Sequence, residues 1–324
     1  MSSIKKLLIY LVVAMTPWSL PASSPIPSVH YEPTSKAIIP ESIEMPEQVS
    51  IPATVGDVYL QSPIIRVKIN GQGPFLFVFD TGFTESVISK TLAKKLNLPI
   101  VKSVSSRVQT PTQIVNVFEN ILLAKKIEID NIVVNNFALF SSSSYEDDID
   151  HFENLKVDGI LGASIFYGKL ITLDYKKEHI HIKNGELKNN EHDVISWVKP
   201  SIVPAIHGKI KFTKLKKEEK QNFILDTGDS TYIYVSTCDI PEMKKFKNQE
   251  ILSTSDMYNK ARYTSLAELY GDIVLSDSVV LKSPYITFSG MHCHQPAGRL
   301  GRKFFEMYEV TLDQKNKLIK MKSY

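Results

Sequence analysis

Short apolar or alternating runs, closed by Gly, Asn, Asp or Pro, recur along the chain. Val67 and Ile69, the run 75–79, Ile114–Val117, Ile127–Val134, Ile171–Leu173 and His179–Ile182 carry either the two-residue period or the brief apolar stretch of a strand. Helical periodicity is scarce. Its best instance is Ser89–Leu98, where Ser89 can cap, Leu92, Ala93 and Leu96 share a face, and Pro99 stops the run. The pattern predicts a mostly β protein.

One unit is written twice. Residues 75–82 read Phe-Leu-Phe-Val-Phe-Asp-Thr-Gly and residues 223–228 read Phe-Ile-Leu-Asp-Thr-Gly, each an apolar run that ends on the same tripeptide. A hydroxyl residue follows each, Thr84 and Ser230, and then a second strand-like stretch. Further on, Leu161-Gly162 and Leu300-Gly301 each stand ahead of Thr-Leu-Asp, with Gly162 to Asp174 and Gly301 to Asp313 both spanning twelve positions. These matches divide the chain into a first copy over 53–186, a polar linker over 187–205 and a second copy over 206–324. A length of 324 residues with 43% hydrophobic side chains is enough for two such domains, each with its own core.

The first 52 residues belong to neither copy. Lys5 and Lys6, nine apolar residues from Leu7 to Met15 and small residues around Ala22–Ser24 make residues 1–24 an expected secretory signal peptide, because nine residues are too few for a membrane-spanning helix. Export to a periplasm or the outside is the consequence, and no span is expected after signal removal. Residues 25–52 are Pro-rich, with seven of the 17 prolines lying between Pro21 and Pro52, and read as an extended leader. Such a leader is either a tether or a propeptide. The net charge of +3 falls by two when Lys5 and Lys6 leave, so nothing suggests a nucleic-acid partner.

Chemistry concentrates in the repeated tripeptide. A single Asp-Thr-Gly is an ordinary strand end, but two at equivalent places bring Asp80 and Asp226 face to face across a pseudo-two-fold axis. Two carboxylates that close share one proton and titrate as a pair. Thr81 and Thr227 are positioned to bond across the axis to the opposite backbone. Gly82 and Gly228 let N–H groups approach the carboxylates with no side chain in the way.

These residues resemble the aspartic peptidases of the pepsin and retropepsin fold, and the whole is similar to two fused retropepsin-like domains of bacterial type. The resemblance covers roughly residues 53–324. It implies a bilobal acid protease fold, two β-barrel-like lobes with a cleft between them, and an aspartic endopeptidase acting on peptide or protein substrates through the Asp80/Asp226 dyad. Thr81, Gly82, Thr227 and Gly228 would support the dyad, with no metal and no cofactor, in a monomer that is an intramolecular pseudo-dimer. The family's hydrophobic-hydrophobic-Gly segments correspond to Ile160-Leu161-Gly162 and Arg299-Leu300-Gly301. Its flaps correspond to hairpins near Val108–Val117, tipped by Thr110, Pro111 and Thr112, and near Asp256–Thr264, tipped by Tyr258 and Asn259. Two positions depart from the pepsin pattern, Phe83 and Asp229, where a hydroxyl residue is usual. Asp229 puts a third carboxylate beside the pair, with Arg299 or Arg302 as its candidate partner. A catalytically inactive peptide-binding protein on the same fold is the alternative.

Other signals weigh less. Cys238 and Cys293 form either one disulfide or two free thiols. His292-Cys293-His294 is too compact for a tetrahedral metal site without a distant ligand. Motifs of serine hydrolases, zinc proteases and nucleotide enzymes are absent from the sequence. Phe75, Phe77 and Phe79 read as core.

Overall fold

The computed structural model describes residues 29–32, 37–55, 62–109, 114–142, 157–191, 193–199, 201, 203–213, 217–229, 233–236, 250–255, 261–289 and 297–324. Strands dominate. Each half contributes a nine-stranded sheet, and a six-stranded sheet draws strands from both. Local sequence explains the first hairpin. Asn70 (φ 50°) and Gly71 (φ 78°) both adopt the left-handed conformation, the two-residue turn that suits strand twist, and join Pro63–Ile69 to Gln72–Asp80. The Ile127–Val134 run, read as one stretch, is instead two arms of a hairpin that turns at Asp130 (φ 52°). The expected helix is shorter than its pattern. It spans Lys90–Lys95, with Ser89 accepting from the Leu92 N–H at 3.2 Å, and Asn97 (φ 51°) ends the run.

Both halves repeat one topology. In the first, Gly159–Gly162 runs parallel to Gln72–Asp80 and antiparallel to Val87–Ile88, which in turn runs parallel to Ile132–Ser142. In the second, Gly298–Leu300 runs parallel to Lys217–Leu225 and antiparallel to Ile233–Ser236, which runs parallel to Tyr285–Ser289. The two Leu-Gly segments therefore do the same work, each wedged between the Asp-bearing strand and the strand after it. Hairpins also occupy both expected flap positions, formed by Ile100–Gln109 with Ile114–Ile129 and by Glu250–Ser255 with Ala261–Glu268. Their tips lie outside the described residues.

The shared sheet joins the halves at its centre. Leu170–Asp174 pairs antiparallel with Tyr308–Asp313, placing Thr172 opposite Thr311, and their hydroxyls meet at 2.8 Å. Both threonines stand ten residues after their Leu-Gly glycine, so the pseudo-two-fold axis passes between them.

Two boundaries differ from the sequence reading. Residues 38–52, expected to be an unpacked leader, are woven in. Ser42–Glu44 joins the first half's sheet beside Ile132–Ser142, and Gln48–Pro52 edges the shared sheet beside His179–Lys183. Val49 and Ile51 point inward and are only 5% and 2% exposed, while Pro52 sits at the end of the edge strand, where a missing N–H is tolerated. Within the expected 187–205 linker, Val194–Ser196 pairs with Leu318–Ser323 at the other edge.

One continuous core underlies both halves, with Phe77, Phe79, Phe166, Phe223, Phe304 and Phe305 fully buried. Burying each is worth about 1.5–3 kcal/mol. Phe75 packs at the core's margin. The architecture is mostly β and bilobal, a retropepsin-like fold.

Candidate active site between the two halves

Strand alternation delivers the carboxylates. Phe77 and Phe79 face the core, so Val78 and Asp80 face the other way; Phe223 and Leu225 face the core, so Ile224 and Asp226 do the same in the second half. Gly162 stands opposite Asp80 in the ladder, and the Asp226 N–H donates to the Leu300 carbonyl at 3.0 Å. The two Asp side chains meet and hydrogen-bond to each other.

Each carboxylate is held by its own turn. The Gly82 N–H donates to Asp80 Oδ1 at 2.8 Å, and the Gly228 N–H donates to Asp226 Oδ1 at 3.0 Å. A methyl group on Gly82 would collide with the Asp226 carboxyl, and one on Gly228 with that of Asp80. The threonines lock the two turns reciprocally. Thr81 donates from Oγ1 to the Leu225 carbonyl (2.7 Å) while its N–H donates to Thr227 Oγ1 (2.9 Å). Thr227 returns both bonds, to the Phe79 carbonyl (2.8 Å) and, through its N–H, to Thr81 Oγ1 (3.1 Å). Neither threonine is more than 1% exposed.

The electrostatics follow from this geometry. Burial pushes the Asp80 carboxyl above the usual range, against the pull of the Gly82 N–H and the bond with Asp226. Burial pushes Asp226 well above it, and the negative charges of Asp80 and Asp229 push the same way while Arg299 opposes them. Such a pair holds one proton over a wide pH interval.

Of the two candidate partners for Asp229, the structure selects Arg299. Its Nε lies 2.5 Å from Asp229 Oδ2 and 4.0 Å from Asp226 Oδ2. The Arg302 side chain turns instead to Glu306 on its own helix, Arg302–Met307, at 2.6 Å, and only its backbone N–H reaches the Asp229 carbonyl. The Thr84 hydroxyl donates to the Glu85 carboxylate. Ser230 lies outside the described residues, as do Cys238, His292, Cys293 and His294.

Two residues near the site escaped sequence reasoning. Buried Ser86 accepts the Gly162 N–H at 3.0 Å, pinning the Leu-Gly segment to the Asp80 turn. Tyr175 stacks on Phe305 with ring centroids 5.2 Å apart, and its hydroxyl is pushed well above its ordinary value by burial and by the charges of Asp80 and Asp226. A signal for Tyr175 existed in the repeat. It follows Thr-Leu-Asp where the second copy has Gln314, which crosses to the first half and donates to the Ala163 carbonyl at 2.7 Å.

Residues 65–165 match the family model of an aspartyl protease. The matched stretch contains Asp80-Thr81-Gly82 and Ile160-Leu161-Gly162, and the topology repeats both in the second half. The similarity to aspartyl proteases supports a peptidase activity. No curated protein matches the chain. Among the described residues, no group of three or more His, Cys, Asp or Glu is arranged to hold a metal ion, and no helix is long and apolar enough to cross a membrane.

Proposed function

We propose that the chain is an exported aspartic endopeptidase in which Asp80 and Asp226 form one dyad acting in the cleft between the halves. The observation that carries this reading is the reciprocal lock. Four hydrogen bonds between Thr81 and Thr227 and the opposite strands hold two half-buried carboxyls together at the axis. A binding protein has no use for two adjacent carboxyls that burial makes costly to ionise.

In the proposed reaction the ionised carboxylate takes a proton from a water, whose oxygen attacks the peptide carbonyl carbon. The protonated carboxyl donates a hydrogen bond to the carbonyl oxygen and later passes a proton to the leaving nitrogen. The sequence needs neither a covalent intermediate nor a metal. The functional unit is the monomer. Export rests on the pattern of residues 1–24.

The test is proteolysis of an unfolded protein substrate between pH 4 and 7. Wild-type protein cleaves it, and Asp80→Asn or Asp226→Asn alone stops cleavage. Wild-type protein that binds peptides but cleaves none at any pH would leave the inactive peptide-binding alternative in its place.

A further inference from the structure

The floor of the cleft is electrostatically lopsided. Arg299 pairs in register with Ile224 and stands next to Leu300, which is fully buried, so it lies on the Asp226 face of the second half's sheet. Its counterpart in the first half is Ile160, in register with Val78 and packed with Ile64, Leu76 and Val157. Asp229 corresponds to Phe83, which packs against the core, and Tyr234 to Val87, since each faces the residue before Leu-Gly across the antiparallel ladder. Three apolar positions in one half are thus Asp, Arg and Tyr in the other. Arg299 touches the other two. The Arg299 guanidinium sits 4.5 Å above the Tyr234 ring, its Nε is 2.5 Å from Asp229 Oδ2, and Asp226 Oδ2 is 4.0 Å away.

We propose that Asp229 and Arg299 form a charge-balanced positioning pair, present only in the second half, that holds Asp226 and sets the potential at the dyad. This rests on the dyad reading above. The pair's charges oppose each other at Asp226: the carboxylate of Asp229 disfavours an ionised Asp226, and the guanidinium favours it. Arg299 meets both carboxylates through one planar group, and stacking on Tyr234 fixes that plane. Among the other titratable groups, Asp80 faces Asp226 across the axis, and Tyr175, after Leu170–Asp174, feels both carboxylates together with Arg302 and Glu306 of the helix Arg302–Met307. Arg302 and Glu306 neutralise each other at 2.6 Å, so Asp229 and Arg299 are the pair whose removal alters the dyad's field in predictable and opposite senses.

The experiment is a carboxyl-carbon NMR titration of aspartate-labelled full-length protein, without substrate, beside pH–rate profiles of kcat/KM. Arg299→Gln removes the positive charge from beside Asp229 and Asp226 and moves the dyad's titration, and both limbs of the rate profile, up by about one pH unit. Asp229→Asn leaves the guanidinium beside Asp226 and moves them down by about as much. Arg299→Lys keeps the charge and holds the midpoints near wild type, and Asp229→Asn, close to isosteric, keeps the test open if Arg299→Gln does not fold. Displacement in the same direction for Arg299→Gln and Asp229→Asn, or in neither, overturns the proposal. Because the titration needs no turnover, an inactive wild type with oppositely displaced titrations would refute the peptidase reading and leave this inference standing.

Discussion

Replacing Thr81 with valine keeps the size of the side chain and removes one hydroxyl. That hydroxyl donates to the Leu225 carbonyl at 2.7 Å and accepts the Thr227 N–H at 3.1 Å, and both partners belong to residues with no exposed surface. Valine therefore strands one buried acceptor and one buried donor. At about 1–3 kcal/mol for each unmet group the loss is roughly 2–6 kcal/mol, a large part of the about 5–15 kcal/mol that holds a domain folded. Thr81→Ser keeps both bonds and gives up a methyl group, at about 1 kcal/mol. Thr227→Val mirrors Thr81→Val, since its hydroxyl serves Phe79 and Thr81 in the same way. The double variant costs less than the sum, because both substitutions disrupt one interlocked network. The assay is urea unfolding followed by tryptophan fluorescence, with Trp197 buried beside the lock, and linear extrapolation to water. A Thr81→Val protein within about 0.5 kcal/mol of wild type, or a Thr81→Ser protein as unstable as Thr81→Val, would refute this reasoning.

Ile51→Ala should cost about 2–5 kcal/mol in the same assay, because Ile51 is 2% exposed and pairs with Ile180 in the shared sheet; an unchanged midpoint would return residues 38–52 to the status of a dispensable leader. Asp226→Asn should gain stability relative to wild type as pH rises from about 4 to 7. The sign follows from the raised titration of the half-buried dyad. The folded protein holds a proton that the unfolded chain releases, so wild-type stability falls with pH through that interval, whereas asparagine has no proton to lose. Thermal midpoints of the two proteins that run parallel with pH would contradict it.

The geometry of the candidate site was legible because it depends on short-range pattern repeated at long range. Strand alternation turns Phe77, Phe79, Phe223 and Leu225 inward, which commits Asp80 and Asp226 to the opposite face, and the doubled Leu-Gly segment implies the same wedge in both halves. The strands of residues 38–52 were hidden for the converse reason. Ile38–Ile39, Ser42–Glu44 and Gln48–Pro52 are two to five residues long among prolines, and only their distant partners make them strands. The Asp229 partner was narrowed to Arg299 or Arg302 and needed one more step. Leu300 is core, so its neighbour Arg299 faces the dyad, while Arg302 begins a helix and finds Glu306 one turn on. That helix has no strong periodic signature, since the first copy's corresponding segment is the single 3-10 turn Ala163–Phe166.

In the proposed enzyme two halves of one chain make one active site. The most direct measurement compares, in one assay, the peptidase rates of wild type, Asp80→Asn, Asp226→Asn and an equimolar mixture of the two variants. The expected result is that wild type cleaves and that both variants and their mixture are slower by at least about a hundredfold, because every chain in the mixture still lacks one member of its own dyad. Recovery of activity on mixing, or a wild-type rate in either variant, would contradict it.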